Sequence, residues 1–179
     1  MQRPDWNPPP WAIRLRRIVN MVNLSTPLGL LLARTGHARL EPGPHGTIVA
    51  RGYRSGFPAP RASAVTVGDV VLLRLDDPVA AGLPYLLDHE ARHTFQWAWF
   101  VGPFGFLPAY LLASAWSWVR VRDFALGNPF ERGAGLVAGG YLRAGAADPL
   151  RPTDPEGTGE PDPREPDPGE PDPGDESVS

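Results

Sequence analysis

The chain has 179 residues, 42% of them hydrophobic, which is enough for one domain with a real core and too little for two comfortable ones. It contains neither cysteine nor lysine, which excludes disulfide scaffolds, Cys-ligated metal centres, cysteine nucleophiles, Schiff bases and lysine-bearing phosphate loops, so any metal must be held by histidine and carboxylate. The net charge of −3 conceals a split: residues 1–152 carry sixteen arginines against ten acids, net +6, and residues 153–179 carry ten acids against one arginine, net −9.

Three segments are expected: an irregular, proline-rich lead-in over 1–10, a folded domain over 11–150, and a disordered acidic tail over 151–179. The tail is a degenerate Glu-Pro-Asp-Pro repeat from Glu160 onward. It offers little apolar surface to bury, and its charge repels itself.

From Trp11 to Asn23, apolar residues recur at helical spacing among Arg14, Arg16 and Arg17. Thr26-Pro27 reads as an N-cap and first helical residue for a second helix over Leu28–Arg34, stopped by Gly36. Arginines ahead of the short apolar run Leu28–Ala33 resemble a leader only loosely, since no clean cleavage site follows; mature structure is expected. Residues 37–53 read as a β-hairpin around a turn at Pro42–Gly46, and 63–75 as a second β stretch turning at Gly68-Asp69. Asp77-Pro78 opens a short helical turn. Helices are then expected from Pro84 to Val101, from Pro108 to Arg122, and from Asn128-Pro129 to Arg143. Helices, strands and helices again make an α+β domain, with a small antiparallel sheet preceding the helical half.

The chemistry concentrates in His89-Glu90-Ala91-Arg92-His93. Positions i and i+4 of a helix share a face, so both imidazoles can point at one metal ion, and neutral imidazole suits zinc. Glu90 lies about 100° around the helix from His89, where a carboxylate can take the proton of a metal-activated water. Two histidines do not complete a site. The metzincin extension would place Gly and His where this chain has Gln96 and Trp99. The third ligand is therefore a carboxylate or an earlier histidine. Downstream, the folded part offers only Asp123, Glu131 and Asp148. Glu131, 38 residues after His93, is the favoured ligand; it also sits where a capping-box glutamate belongs after Asn128-Pro129. Asp123 is the alternative ligand or a hydrogen-bond partner of a ligand histidine. His45, in a Pro/Gly turn, reads as solvated, and nothing in its spacing requires His37 at the site. Tyr85 and Tyr141 are candidate donors to an oxyanion, with packing as the competing role.

The stretches His89–Gln96 and Asn128–Gly135 together resemble the gluzincin type of HExxH zinc metallopeptidase. They are most similar to small bacterial zincin-like domains that pair HExxH-x-x-Gln with a glutamate-bearing helix, over about residues 84–143. That resemblance implies zinc on His89, His93 and Glu131, with Glu90 as catalytic base.

Residues 94–119 carry no charge and include Trp97, Trp99, Trp116 and Trp118. Gly102-Pro103, Gly105 and Pro108 interrupt them, so two packed core helices are expected, with peripheral membrane contact through Phe104–Leu107 as the sharper alternative. No nucleic-acid motif accompanies the arginines. The expectation is a cytoplasmic zinc hydrolase acting on a peptide or protein, whose extended chain pairs with a strand edge near Val70–Leu75. The competing reading is a non-catalytic zinc-binding or membrane-peripheral interaction protein. The small size favours that reading; Glu90, for which a structural site has no use, favours the enzyme.

Overall fold

The computed structural model describes residues 6–58, 62–77, 82–83, 85–143, 148 and 150; the Asp77-Pro78 turn beyond Asp77 and the tail 151–179 lie outside the described residues. The protein is α+β. In chain order it comprises α1 (Pro10–Val22), α2 (Ser25–Thr35), β1 (Arg39–Pro42), a 3-10 turn (Pro44–Gly46), β2 (Ile48–Arg51), β3 (Ala64–Val67), β4 (Val70–Leu73), α3 (Leu86–Trp99), α4 (Pro103–Val121) and α5 (Pro129–Ala134).

The sheet has the order β1-β2-β4-β3. Both hairpins are antiparallel, but β2 pairs with β4 in parallel, Ile48 opposite Val70 through Arg51 opposite Leu73. The sheet is therefore mixed, not wholly antiparallel as the two hairpin signatures suggested. The second hairpin docks through its later strand, which places β4 in the interior and β3 at the edge. Val70, Val71, Leu72 and Leu73 are all fully buried, as befits a strand covered on both faces. Val70 and Leu72 join Ala33, Trp97, Phe106 and Phe130 on one side, while Val71 and Leu73 pack with Val49 and Leu86 on the other. The strand near Val70–Leu75 thus has neighbours on both sides and no free edge; the edge near α3 belongs to β3.

Polar side chains, not apolar ones, pin α1 to this core. Arg16 and Asn20 face inward. Arg16 pairs with Asp69 at 2.9 Å, and the Asn20 amide donates to Asp69 Oδ1 and to the Thr94 carbonyl, each at 2.9 Å. Removing one partner of such a buried pair leaves an uncompensated charge and is strongly destabilising. Thr26 lies inside α2 and is not its cap: its hydroxyl accepts from the Asp69 N–H at 3.1 Å. Ahead of α1, the lead-in is held by Trp6, whose ring meets His45 and Phe95 edge-on and carries Arg92 on its face.

Helix α4 begins at Pro103, five residues before the expected start at Pro108. Gly102 at φ 76° makes the turn, and Pro103 takes the first helical position, where its missing N–H costs nothing. Pro108 lies inside the helix and removes only the bond to the Phe104 carbonyl. Helix α5 stops at Ala134, well short of Arg143, because Gly135 turns away at φ 107°. Among the described residues no single helix is long and apolar enough to cross a membrane; α3 and α4 qualify only together, and they are bent by 118° at the break.

Candidate metal centre

α3 carries His89 and His93 one turn apart on its buried side. The chain then leaves along α4, returns through residues 122–128, and starts α5, whose Asn128 side chain caps the Phe130 N–H at 2.9 Å. That cap leaves Glu131 free of capping duty, and its carboxylate points at the two imidazoles. Nε2 of His89 lies 3.1 Å from Nε2 of His93, and Glu131 Oε2 lies 3.2 and 3.5 Å from them. All three residues are buried and can hold a metal ion.

The hydrogen bonds behind these atoms decide what the cluster can accept. His89 Nδ1 lies 3.0 Å from the Gly135 carbonyl, an acceptor only, so Nδ1 carries the proton and Nε2 presents a lone pair. His93 Nδ1 lies 2.7 Å from Gln96 Oε1, and the orientation of that amide is fixed because Gln96 Nε2 donates to the Phe130 carbonyl at 2.9 Å. Both Nε2 atoms therefore aim lone pairs at the same point as Glu131 Oε2, itself buried without a hydrogen-bond donor. Three convergent lone pairs repel unless a cation lies between them. A tetrahedral ion with bonds of about 2.0–2.1 Å separates its ligand atoms by about 3.3 Å, which matches the three observed distances.

Tyr110 on α4 donates to the other carboxylate oxygen, Glu131 Oε1. In the metal-free protein, burial alone would raise the Glu131 pKa, but the two facing imidazoles and the Tyr110 hydroxyl prevail and hold it well below the usual carboxylate range. There, burial alone would lower His93, but the facing Glu131 carboxylate favours a proton on His93 and carries it above the ordinary imidazole value. Burial, then the Glu131 charge, drive the hydroxyls of Tyr110 and Tyr141 far up, so both remain protonated donors.

Glu90 is buried beside the cluster, and the Thr66 hydroxyl on β3 donates to its Oε2 at 2.7 Å. Thr66 is held in turn, since its carbonyl accepts from the Trp97 indole at 3.0 Å. Arg92 locks α3 to the end of α5 through the Ala134 carbonyl at 2.6 Å. The Gly139 backbone lies against the His89 ring: a Cβ there would come within 2.6 Å of it.

The structure thus brings His89, Glu90, His93 and Glu131 together, with the Tyr141 ring 5.9 Å from His89. Asp123 is elsewhere engaged: its carboxylate accepts from the Ala125 and Leu126 N–H groups at 2.8 and 2.9 Å, making it a turn cap and not a ligand. Tyr85 is exposed ahead of α3, and His37 is exposed beyond α2. His45 is not the solvated turn residue expected; it pairs with Asp88 at 3.3 Å beneath Trp6. Thr66, Tyr110 and Gly135 escaped the sequence reading because tertiary packing alone brings them in. Gln96 enters the sequence as part of the HExxH-x-x-Gln pattern and as the residue that excludes a longer histidine motif; its place one turn after His93 is the signal for its contact with that ring.

Fold and site together define a small α+β protein with a buried two-histidine, one-glutamate group able to hold a metal ion. No family model matches the chain, and neither a curated protein nor a solved structure does.

Proposed function

We propose that the protein is a zinc-dependent hydrolase of the gluzincin type acting on peptide bonds, with His89, His93 and Glu131 as ligands and Glu90 as general base. The observation that carries this reading is the convergence of two Nε2 lone pairs and a donor-less Glu131 oxygen, with an extra carboxylate immediately beside them. Nitrogen and oxygen donors in a set of three favour zinc with one position open, the arrangement of catalytic rather than structural sites. Bound there, zinc would supply Lewis acidity and lower the pKa of water to about 7.

The chain's own residues do the rest. Thr66 fixes Glu90 Oε2, leaving Oε1 to take the proton of the attacking water and deliver it to the leaving nitrogen. Gly135 and Gln96 hold the imidazoles in the ligating tautomer, and Tyr110 orients the Glu131 carboxylate. Tyr141, protonated and close to His89, is placed to donate to the developing oxyanion. The edge of β3, next to Thr66, is where an extended peptide would lie.

The test is metal content together with hydrolysis of a denatured-protein or peptide library. The wild type is expected to hold one zinc per chain and to cleave. Glu90→Gln should keep the zinc and lose at least about a hundredfold in rate. Zinc-loaded wild type that cleaves nothing, or Glu90→Gln with undiminished activity, would overturn the assignment.

A further inference from the structure

Two helices of this protein bury polar side chains and leave apolar ones outside. Helix α1 buries Arg16 and Asn20 and turns Trp11, Leu15, Ile18 and Val22 to the outside, a stripe at i, i+4, i+7 and i+11. Helix α4 buries Ser114 and Ser117 and exposes Phe104, Leu111, Leu112 and Val119. Of the Phe104–Leu107 tip, Phe104 is 87% exposed while Phe106 belongs to the core.

The end of α1 and the turn that opens α4 meet. Gly102, in the turn between α3 and α4, lies so close to Asn23 at the end of α1 that a Cβ would fall 2.8 Å from its side chain. Val22 at 77% and Val101 at 70% exposure flank that junction. The two chain segments that approach each other there, residues 18–33 and 94–119, contain no charged group. The exposed charges that bracket them are Arg14, Arg17, Arg34, Arg120 and Arg122, all positive. The acids around them are engaged within the fold: Asp69 with Arg16 and Asn20, Glu90 with Thr66, and Asp123 in its own turn. Arg120 lies over the Trp116 ring at 5.7 Å, a pairing suited to the boundary between acyl chains and headgroups.

From this juxtaposition of a charge-free apolar ridge and a collar of arginines, we infer that the α1–α4 face docks into one leaflet of an anionic lipid bilayer. A second copy of the chain would bring the two arginine collars together, whereas anionic headgroups complement them. The bend of 118° turns α4 back instead of across, so the protein lies on the membrane and does not span it. Docking by this face needs no metal and no catalysis, and it stands or falls apart from the hydrolase reading.

The experiment is vesicle flotation of the full chain. Binding to phosphatidylcholine vesicles containing about 30% phosphatidylglycerol should exceed binding to pure phosphatidylcholine by at least about tenfold and weaken in high salt. The double substitution Val22→Glu with Phe104→Glu should reduce binding at least about tenfold, with its circular dichroism unchanged as the check on folding. Because the chain has no cysteine, Phe104→Cys can carry an environment-sensitive dye by itself. Its emission should shift to the blue on vesicles. The same dye at Asp76→Cys, beyond the far end of β4, should not shift. Absence of vesicle binding would overturn the proposal, as would binding without a shift at position 104. So would a dimer in solution that Phe104→Glu dissolves, which would identify a second copy as the occupant.

Discussion

The Glu131 carboxylate joins everything at the site, and its two oxygens have separate tasks: Oε1 accepts from Tyr110, and Oε2 faces both imidazoles. Replacing it, or either histidine, by alanine leaves two ligands. Metal content measured after dialysis should fall close to zero in all three variants. Tyr110→Phe removes only the orienting hydroxyl and should weaken metal affinity by about ten- to a hundredfold, read by chelator competition. The same residues give opposite pH responses with and without metal. In the metal-free protein the depressed Glu131 pKa contributes stability that is present above its ordinary 4.5 and lost as pH falls. The raised His93 pKa contributes stability that is present below 6.5 and lost as pH rises through the raised value. Bound metal instead requires both histidines deprotonated, so its stabilisation grows with pH. Melting temperatures taken at about pH 6 and about pH 8 should therefore fall without metal and rise with zinc. Parallel slopes would mean that the ion does not engage His93.

At the scale of elements, the ligand-bearing helices were legible because their spacing is local information. His89 and His93 must share a face wherever residues 86–99 are helical, and Asn128-Pro129 marks a helix start in the chain itself. Glu131 was left open between cap and ligand, since a carboxylate at that position does either. Asn128 caps Phe130 itself, and the Glu131 carboxylate instead accepts from Tyr110 and faces the two imidazoles. What stayed hidden depends on contacts far apart in the sequence. Two hairpins look the same whether their facing strands run parallel or antiparallel, so the β2–β4 pairing was not readable. Pro108 resembles a helix start in the sequence because the true start, Pro103, shares a Gly-Pro step that also reads as a break. The short α5 depends on such remote contacts too, since the backbone after it must pass directly over His89. Gly139→Ala should push a methyl into that ring and weaken metal binding at least about tenfold. Gly52→Ala is the matched control: Gly52 has φ 73° but nothing within 4 Å, so it should lower the melting temperature and leave metal affinity alone.

For the whole molecule, the charge split sets the behaviour. Removing residues 153–179 changes the net charge from −3 to +6. The truncated protein should hold the same metal and bind anionic vesicles more tightly, with a steeper salt dependence. A metal content altered by the truncation would show that the tail contributes to the site. The exposed apolar residues of α1 and α4 were hidden in the sequence for a simple reason. A run of apolar residues reads as core, and only the positions of Arg16, Asn20, Ser114 and Ser117 in three dimensions reveal which residues of each helix face outward.

Helix α3 runs from the metal ligands to the apolar turn without interruption, and its pitch becomes a ruler. Trp99, at the end of α3, lies six positions on from His93, so the ligand set stands about 9 Å along the axis from the apolar turn that leads into α4. Under the proposed hydrolysis and the inferred docking together, a bond presented at the level of the lipid headgroups would lie within that reach, whereas one held well above the surface would not. The helix would then set a cutting height, and a tethered substrate would be selected by how far its chain rises from the bilayer as much as by its sequence.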